Sequence, residues 1–127
     1  MTEQKTPKKV LIIDDNESLR TILGDKLIAS GFETLGATDG EDGLKQALEL
    51  HPDIILLDVL MPKMNGWEML EKLRQDAWGK SANVIMLTSL ESTENIAHAM
   101  EKGSYQYFLK TDCDLNEVVN QIKTKYS

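Results

Sequence analysis

The sequence predicts an α/β protein in which a parallel sheet is covered by helices on both faces. Short apolar runs alternate five times with longer segments whose apolar residues recur at helical spacing. Five β–α units in succession favour parallel strands, because each crossover returns the chain to the same end of the sheet. The 127 residues, 41% hydrophobic and 28% charged, suit one globular domain.

The first predicted strand is a short apolar run, too brief for a helix and rich in Val and Ile. Strand three contains residues 54–57, which are all Ile or Leu, and should be buried on both faces. Strand two is less apolar and should lie nearer an edge. In order, the predicted strands are residues 9–14, 32–37, 53–58, 84–88 and 107–110.

The first two predicted helices have clear start and stop signals. Helix one begins at Asn16 and stops at Gly31, a residue that commonly ends helices. Helix two follows Asp39 and Gly40 and cannot continue through Pro52. The residues spaced for the buried face of helix one are Leu19, Ile22, Leu23 and Leu27.

The remaining three predicted helices follow strands three, four and five. Helix three starts after Asn65 and should extend to Gly79, and helix four should begin at Ser92, whose residue type favours the N-cap position. Helix five opens at Asp114 or Asn116. We expect residues 1–8 to be a flexible segment and residues 9–127 to form the domain. The Met start and the complete fifth helix favour a whole gene product.

Composition excludes several functional classes. A net charge of -7 argues against direct binding to nucleic-acid phosphates. The N-terminal segment lacks the apolar stretch of a secretory signal, and no apolar run approaches the ~20 residues needed to cross a bilayer. We therefore predict a cytoplasmic protein without membrane insertion. Cys113 is the single cysteine, which excludes an internal disulfide.

Carboxylates follow two of the predicted strands. Asp14 and Asp15 directly follow the apolar run of residues 10–13, and Asp58 directly follows the apolar run of residues 54–57. Because the carboxyl ends of parallel strands meet at one edge, where such sheets bind ligands, we expect these side chains to converge. Three close carboxylates repel one another unless a cation lies among them. The sequence therefore predicts a cation site at this edge.

The acids belong to a larger set of motifs, several of which lie at the ends of the predicted strands. The set comprises residues 10–15, Arg20, Leu23, residues 31–32, 39–40, 52–58, 61–66 and 86–89, Gly103, and residues 107–110. This ordered set, covering residues 9–126, resembles the response-regulator receiver domain of two-component signalling, in its single-domain, chemotaxis-regulator-like form. The resemblance implies a flavodoxin-like, doubly wound, five-stranded parallel sheet in the order 2-1-3-4-5, with five helices.

The resemblance also implies the chemistry of the acids. Asp58 would accept a phosphoryl group from a histidine kinase, a phosphotransfer protein or a small phosphodonor, giving an aspartyl phosphate. Mg²⁺ would be bound directly by Asp15, Asp58 and the carbonyl oxygen of Leu60, and mostly through a water by Asp14. The protein would be a signalling switch that catalyses only its own phosphorylation and dephosphorylation, and not an enzyme that turns over a metabolite.

Three more residues receive roles from the resemblance. Thr88 would hydrogen-bond a phosphate oxygen, and Lys110 would pair first with Asp58 and then with the phosphate. Tyr107 would move inward when Thr88 shifts toward the phosphate. The surface formed by helix four, strand five and helix five would then bind a downstream effector protein or a second copy, which implies a monomer or a phosphorylation-dependent dimer.

The chain departs from the family pattern at several positions. Thr111 follows Lys110 where the family usually has proline after a cis peptide bond, and we expect a trans bond here. Leu60 and Leu90 flank the predicted phosphorylation site and cannot hydrogen-bond an attacking water, which predicts a long-lived aspartyl phosphate. Gly43 stands where alanine is frequent and should weaken helix two by ~1 kcal/mol.

Two other functions stay open. One is a phosphorylation-independent, receiver-like protein-binding module. The presence of all five key site residues speaks against it; these are Asp14, Asp15, Asp58, Thr88 and Lys110. The other is an enzyme of a different doubly wound family. The chain lacks a Walker-type phosphate loop and a glycine-rich dinucleotide fingerprint. A haloacid-dehalogenase-type phosphatase would need an aspartate at the position of Leu60.

Overall fold

A computed structural model describes residues 8–58, 63–88, 106–109 and 115–126. Five strands form one parallel sheet in the order β2-β1-β3-β4-β5. The predicted parallel α/β class is confirmed, and β2 lies at an edge as expected. The strands are β1 Lys9–Ile13, β2 Glu33–Ala37, β3 Ile54–Asp58, β4 Val84–Thr88 and β5 Gln106–Leu109.

Helices flank the strands in the same alternation. The described helices are α1 Glu17–Ala29, α2 Gly40–Leu50, α3 Gly66–Gln75, a 3₁₀ turn Gly79–Ser81 and a C-terminal helix Leu115–Tyr126. Asn16, Asp39 and Asn65 cap the first three, each accepting a backbone amide three residues further on. The helix predicted to begin at Ser92 lies outside the described residues, so the five-helix count stays a prediction.

The sheet separates two apolar layers because successive side chains of a strand point to opposite faces. In β1, Leu11 and Ile13 pack with α2 and α3, whereas Val10 and Ile12 pack with α1 and the C-terminal helix. All five residues of β3 are buried, as a central parallel strand requires. In the part of the chain that the structure describes, no helix is both long and apolar enough to span a membrane.

The buried face of α1 is narrower than the sequence predicts. Leu23 and Leu27 are fully buried, but Ile22 is 47% exposed. Successive residues of a helix are about 100° apart around its axis. When Leu23 and Leu27 face the sheet, Ile22 therefore lies at the margin of the buried face. The expectation that Ile22 belongs to the core is therefore wrong.

Helix α3 is shorter than predicted. It ends at Gln75, and Gly79 instead begins the 3₁₀ turn. The Asp76 carboxylate accepts the amides of Trp78 and Gly79 at 2.9 and 3.1 Å, which satisfies these donors in a turn and stops the helix. Trp78, which a helix extending to Gly79 would include, thus lies beyond α3 and stacks on His51.

Candidate functional site

Three carboxylates meet at the carboxyl ends of β1 and β3. Asp14, Asp15 and Asp58 each offer an oxygen, and these oxygens all lie within 4.8 Å of one another. The strands are neighbours, with Ile13 opposite Leu57, so the residues that follow them arrive side by side. Asp14 and Asp58 are 1% and 4% exposed, whereas Asp15 is exposed. The structure therefore brings together the acids that the sequence singled out.

Three hydrogen bonds, to β2, Asn16 and Arg20, hold Asp14 in position. Its amide donates to the Ala37 carbonyl of β2 at 3.1 Å. Its Oδ1 accepts the Asn16 amide at 2.9 Å, and its carbonyl accepts Nη1 of Arg20 at 2.7 Å. No role was predicted for Arg20, because a hydrogen bond from a helix back to the end of the preceding strand leaves no local pattern in the sequence.

The start of α2 lies against the segment that follows β3. Lys63 Nζ is 3.7 Å from Asp39 Oδ2, and Lys63 itself has a positive φ of 67°. A Cβ on Gly40 would collide with the backbone carbonyl of Met64. Glycine at the first position of α2 therefore permits this close approach of its backbone to that of Met64, in the segment after β3.

The donor set of the acids fits a magnesium ion. Carboxylate oxygens are hard ligands of the kind that Mg²⁺ prefers, and its octahedral shell places neighbouring oxygens about 3 Å apart. The three oxygens lie within 4.8 Å of one another, so small side-chain movements would bring them to that spacing, and waters would supply ligands at the remaining positions. Two of the three acids are nearly buried, which leaves their mutual repulsion weakly screened by solvent.

Of the other predicted site residues, the structure describes the strand positions of Thr88 and Tyr107. Thr88 ends β4, which pairs with β3 so that Asp58 is opposite Leu87. Tyr107 lies in β5 opposite Met86 of β4. The predictions that fall outside the described residues concern Leu60, Leu90, Lys110 and the Lys110–Thr111 peptide bond.

A family model described as the response regulator receiver domain matches residues 10–123. The chain belongs to the response-regulator receiver family. Among curated relatives, this receiver is 38% identical over 103 residues to the alkaline phosphatase synthesis transcriptional regulatory protein PhoP of Bacillus subtilis. That match covers 81% of the chain and 42% of PhoP.

Other relatives match over a similar stretch. The DNA-binding dual master transcriptional regulator RpaA of Synechocystis is 30% identical over 115 residues, covering 91% of the chain and 47% of RpaA. The chain spans less than half the length of these curated relatives.

Solved structures show the same fold over nearly the whole receiver. The chemotaxis response regulator CheY4 of Vibrio cholerae has a TM-score of 0.86 at 28% identity, covering 94% of this chain and 98% of CheY4. CheY in a CheX–CheY–BeF₃–Mg²⁺ complex from Borrelia burgdorferi has a TM-score of 0.85 at 27% identity, covering 95% and 90%. These likenesses support the resemblance on which the site assignments were based.

Proposed function

We propose that this receiver accepts a phosphoryl group on Asp58 in the presence of Mg²⁺ and thereby switches a protein-interaction surface. The observation that carries the proposal is the meeting of three carboxylates at the carboxyl end of the sheet, with Asp58 at the end of a fully buried strand. Like charges at such a site favour a bound cation, and clustered acids of this kind mark functional sites.

The chemistry proposed for Asp58 is a direct phosphoryl transfer. One carboxylate oxygen attacks the phosphorus of a phosphohistidine or of acetyl phosphate, and the bond from phosphorus to the donor breaks. The product is an aspartyl phosphate, and the donor leaves as acetate or as the histidine imidazole of the donor protein, whose nitrogen takes up a proton from solvent. Bound Mg²⁺ would neutralise charge on the carboxylate and on the phosphoryl oxygens. Asp15, Asp58 and the Leu60 carbonyl would hold it directly, with Asp14 acting through a water.

Residues on the two following strands would respond to the phosphate. In this proposal Thr88 and Lys110 contact the phosphoryl oxygens, and Tyr107 follows the movement of Thr88. The pairing of β4 with β5, with Thr88 opposite Leu109, supports a route from the site to the edge strand. The output surface would comprise the predicted fourth helix, β5 and the C-terminal helix.

The partners in this proposal are a histidine kinase or phosphotransfer protein and a separate effector protein. We also propose a cytoplasmic location and an oligomeric state that is either a monomer or a phosphorylation-dependent dimer. The Borrelia complex supports a protein partner, because it joins a chain of this fold to CheX in the presence of BeF₃ and Mg²⁺.

The proposal is tested by intact mass after incubation with acetyl phosphate and Mg²⁺. The wild type should gain one phosphoryl group, and EDTA or the Asp58→Ala substitution should prevent the gain. Asp53→Ala is the matched control, because Asp53 precedes the same strand and its carboxylate accepts the Lys9 amide at 2.8 Å. A folded wild type that gains no mass from acetyl phosphate or from a phosphorylated kinase would favour the phosphorylation-independent module instead.

The lifetime of the phosphate is a separate part of the proposal. Leu60 and Leu90 offer no hydrogen-bond partner for an attacking water, so the phosphoryl group should be lost slowly. Leu60→Asn and Leu90→Glu variants, followed by the decay of the intact-mass adduct after donor removal, should lose it faster. Unchanged decay in both variants would refute the role of these side chains.

A further inference from the structure

We propose that Arg20 is a positioning residue that sets the Mg²⁺ affinity of the acid cluster by fixing the peptide group between Asp14 and Asp15. This inference rests on the proposed function, since it concerns the metal site that the function requires. It adds a contributor from α1, a helix that supplies none of the three acids.

The bonds around Asp14 show what Arg20 controls. Nη1 of Arg20 donates to the Asp14 carbonyl at 2.7 Å, while the Asp14 amide donates to the Ala37 carbonyl at 3.1 Å. The carbonyl of Asp14 and the amide of Asp15 belong to one planar peptide group. The direction of that carbonyl therefore sets the direction in which the chain continues to Asp15.

Asp15 is the acid that most needs this support. It is exposed, whereas Asp14 and Asp58 are held in nearly buried positions at 1% and 4% exposure. An exposed side chain on a free loop would sample many directions, and ordering it on metal binding would cost conformational entropy. A peptide held by Arg20 limits those directions before the ion arrives.

The Arg20 side chain is itself held in place. A Cβ on Gly36 would lie 3.7 Å from its Cδ and 3.8 Å from its Nε, so the side chain passes close over this residue of the edge strand β2. Arg20 is half-buried, and its backbone lies within the first turn of a helix capped by Asn16. The guanidinium thus reaches the Asp14 carbonyl from a fixed base.

Positioning and simple charge predict opposite effects on Mg²⁺ binding. A guanidinium cation beside the acid cluster repels a divalent cation, so if charge alone mattered its removal would tighten binding. If Arg20 acts by fixing the peptide, its removal should weaken binding although a positive charge is lost. The sign of the change therefore separates the two roles.

The test is calorimetric Mg²⁺ titration of the wild type, Arg20→Met and Arg20→Lys. We expect binding about tenfold weaker in Arg20→Met, the lower end of the range for residues that orient metal ligands. Arg20→Lys should fall between the two, since it can donate one bond without the planar guanidinium. Arg74→Met is the matched control and should bind Mg²⁺ as the wild type does. Arg74 Nη1 donates to the Gly79 and Ala82 carbonyls at 2.6 and 2.8 Å near the opposite end of the sheet.

The amide resonance of Asp15 gives a readout that a general loss of stability would not move. In ¹⁵N-resolved NMR spectra without metal it should shift in Arg20→Met and stay in place in Arg74→Met. Equal or tighter Mg²⁺ binding by Arg20→Met would overturn the inference, whatever its stability. If Arg20→Met does not fold, Arg20→Gln decides by the same criterion. A wild type that binds no Mg²⁺ would instead contradict the proposed function, and with it the inference.

Discussion

Carboxylates at the amino end of the sheet accept hydrogen bonds from backbone amides, whereas those at the carboxyl end lie beside one another. Before β3, Asp53 accepts the Lys9 amide at 2.8 Å. Before β4, Asp76 accepts the amides of Trp78 and Gly79. After β1 and β3, the oxygens of the three clustered acids lie within 4.8 Å of one another. Asp14 shares both features, because its Oδ1 also accepts the Asn16 amide.

In the proposed function, aspartate side chains serve stability at the amino end of the sheet and Mg²⁺ binding at the carboxyl end. An amide donor satisfies a carboxylate and favours the turn that supplies it. A second and a third carboxylate do the opposite, because they raise the electrostatic cost of folding until a cation is bound. The amino-end acids should therefore affect stability alone, and the carboxyl-end acids should couple stability to Mg²⁺.

Two glycines give the largest expected effect and test whether the ends differ in function. A Cβ on Gly40 would collide with the Met64 carbonyl, and one on Gly79 would collide with the Leu73 carbonyl. Because both obstacles are backbone, Gly40→Ala and Gly79→Ala should each lower the free energy of unfolding by about 1–3 kcal/mol in urea titrations. Only Gly40→Ala should also weaken Mg²⁺ binding, since it displaces the chain that leaves β3. Equal weakening of Mg²⁺ binding by Gly79→Ala would contradict a difference in function between the two ends.

Gly43→Ala should change the free energy of unfolding less, and in the direction opposite to that expected from helix propensity. Its Cβ would lie 2.6 Å from Cδ1 and 2.9 Å from Cγ2 of Ile13, the last residue of β1. Alanine gains about 1 kcal/mol of propensity, but overpacking costs about 1–3 kcal/mol. We expect Gly43→Ala to be destabilised by about 1 kcal/mol in urea titrations. A more stable variant would show that Ile13 can move aside without cost.

Gly24 in α1 gives the smallest effect and serves as the control for Gly43. Its Cβ would lie 3.6 Å from Thr34 Oγ1 and 4.0 Å from Ile12 Cδ1, which are ordinary contacts. Gly24→Ala should therefore raise the free energy of unfolding by about 0.5–1 kcal/mol through helix propensity. A loss of stability as large as that of Gly43→Ala would mean that both helices are packed equally closely, and the contrast between them would disappear.

The sequence predicted the features that depend on local chemistry. Asn16, Asp39 and Asn65 are capping residues by type and position, and all three cap helices. Asp14 and Asp58 follow apolar runs that form neighbouring strands, so their meeting followed from the parallel order.

Contacts between residues distant in the chain were not predictable in this way. Gly43 was expected only to weaken its helix, since nothing near it in the sequence reveals Ile13 above its Cα. His51, which follows α2, stacks on Trp78, which follows α3, with ring centroids 4.3 Å apart. Arg20 was part of a motif without a role, because its bond to Asp14 depends on how α1 turns back over β1.

The most direct test of the contrast between the two ends is the free energy of unfolding with and without Mg²⁺, measured for the wild type, Asp58→Ala and Asp76→Ala. With free Mg²⁺ tenfold above its dissociation constant, the wild type should gain about 1.4 kcal/mol. Asp76→Ala should lose about 1–3 kcal/mol in stability, because two amides lose their acceptor, and should keep the full gain from Mg²⁺. Asp58→Ala should lose most of that gain. An undiminished gain in Asp58→Ala, or its loss in Asp76→Ala, would contradict the assignment of the metal site to the carboxyl end.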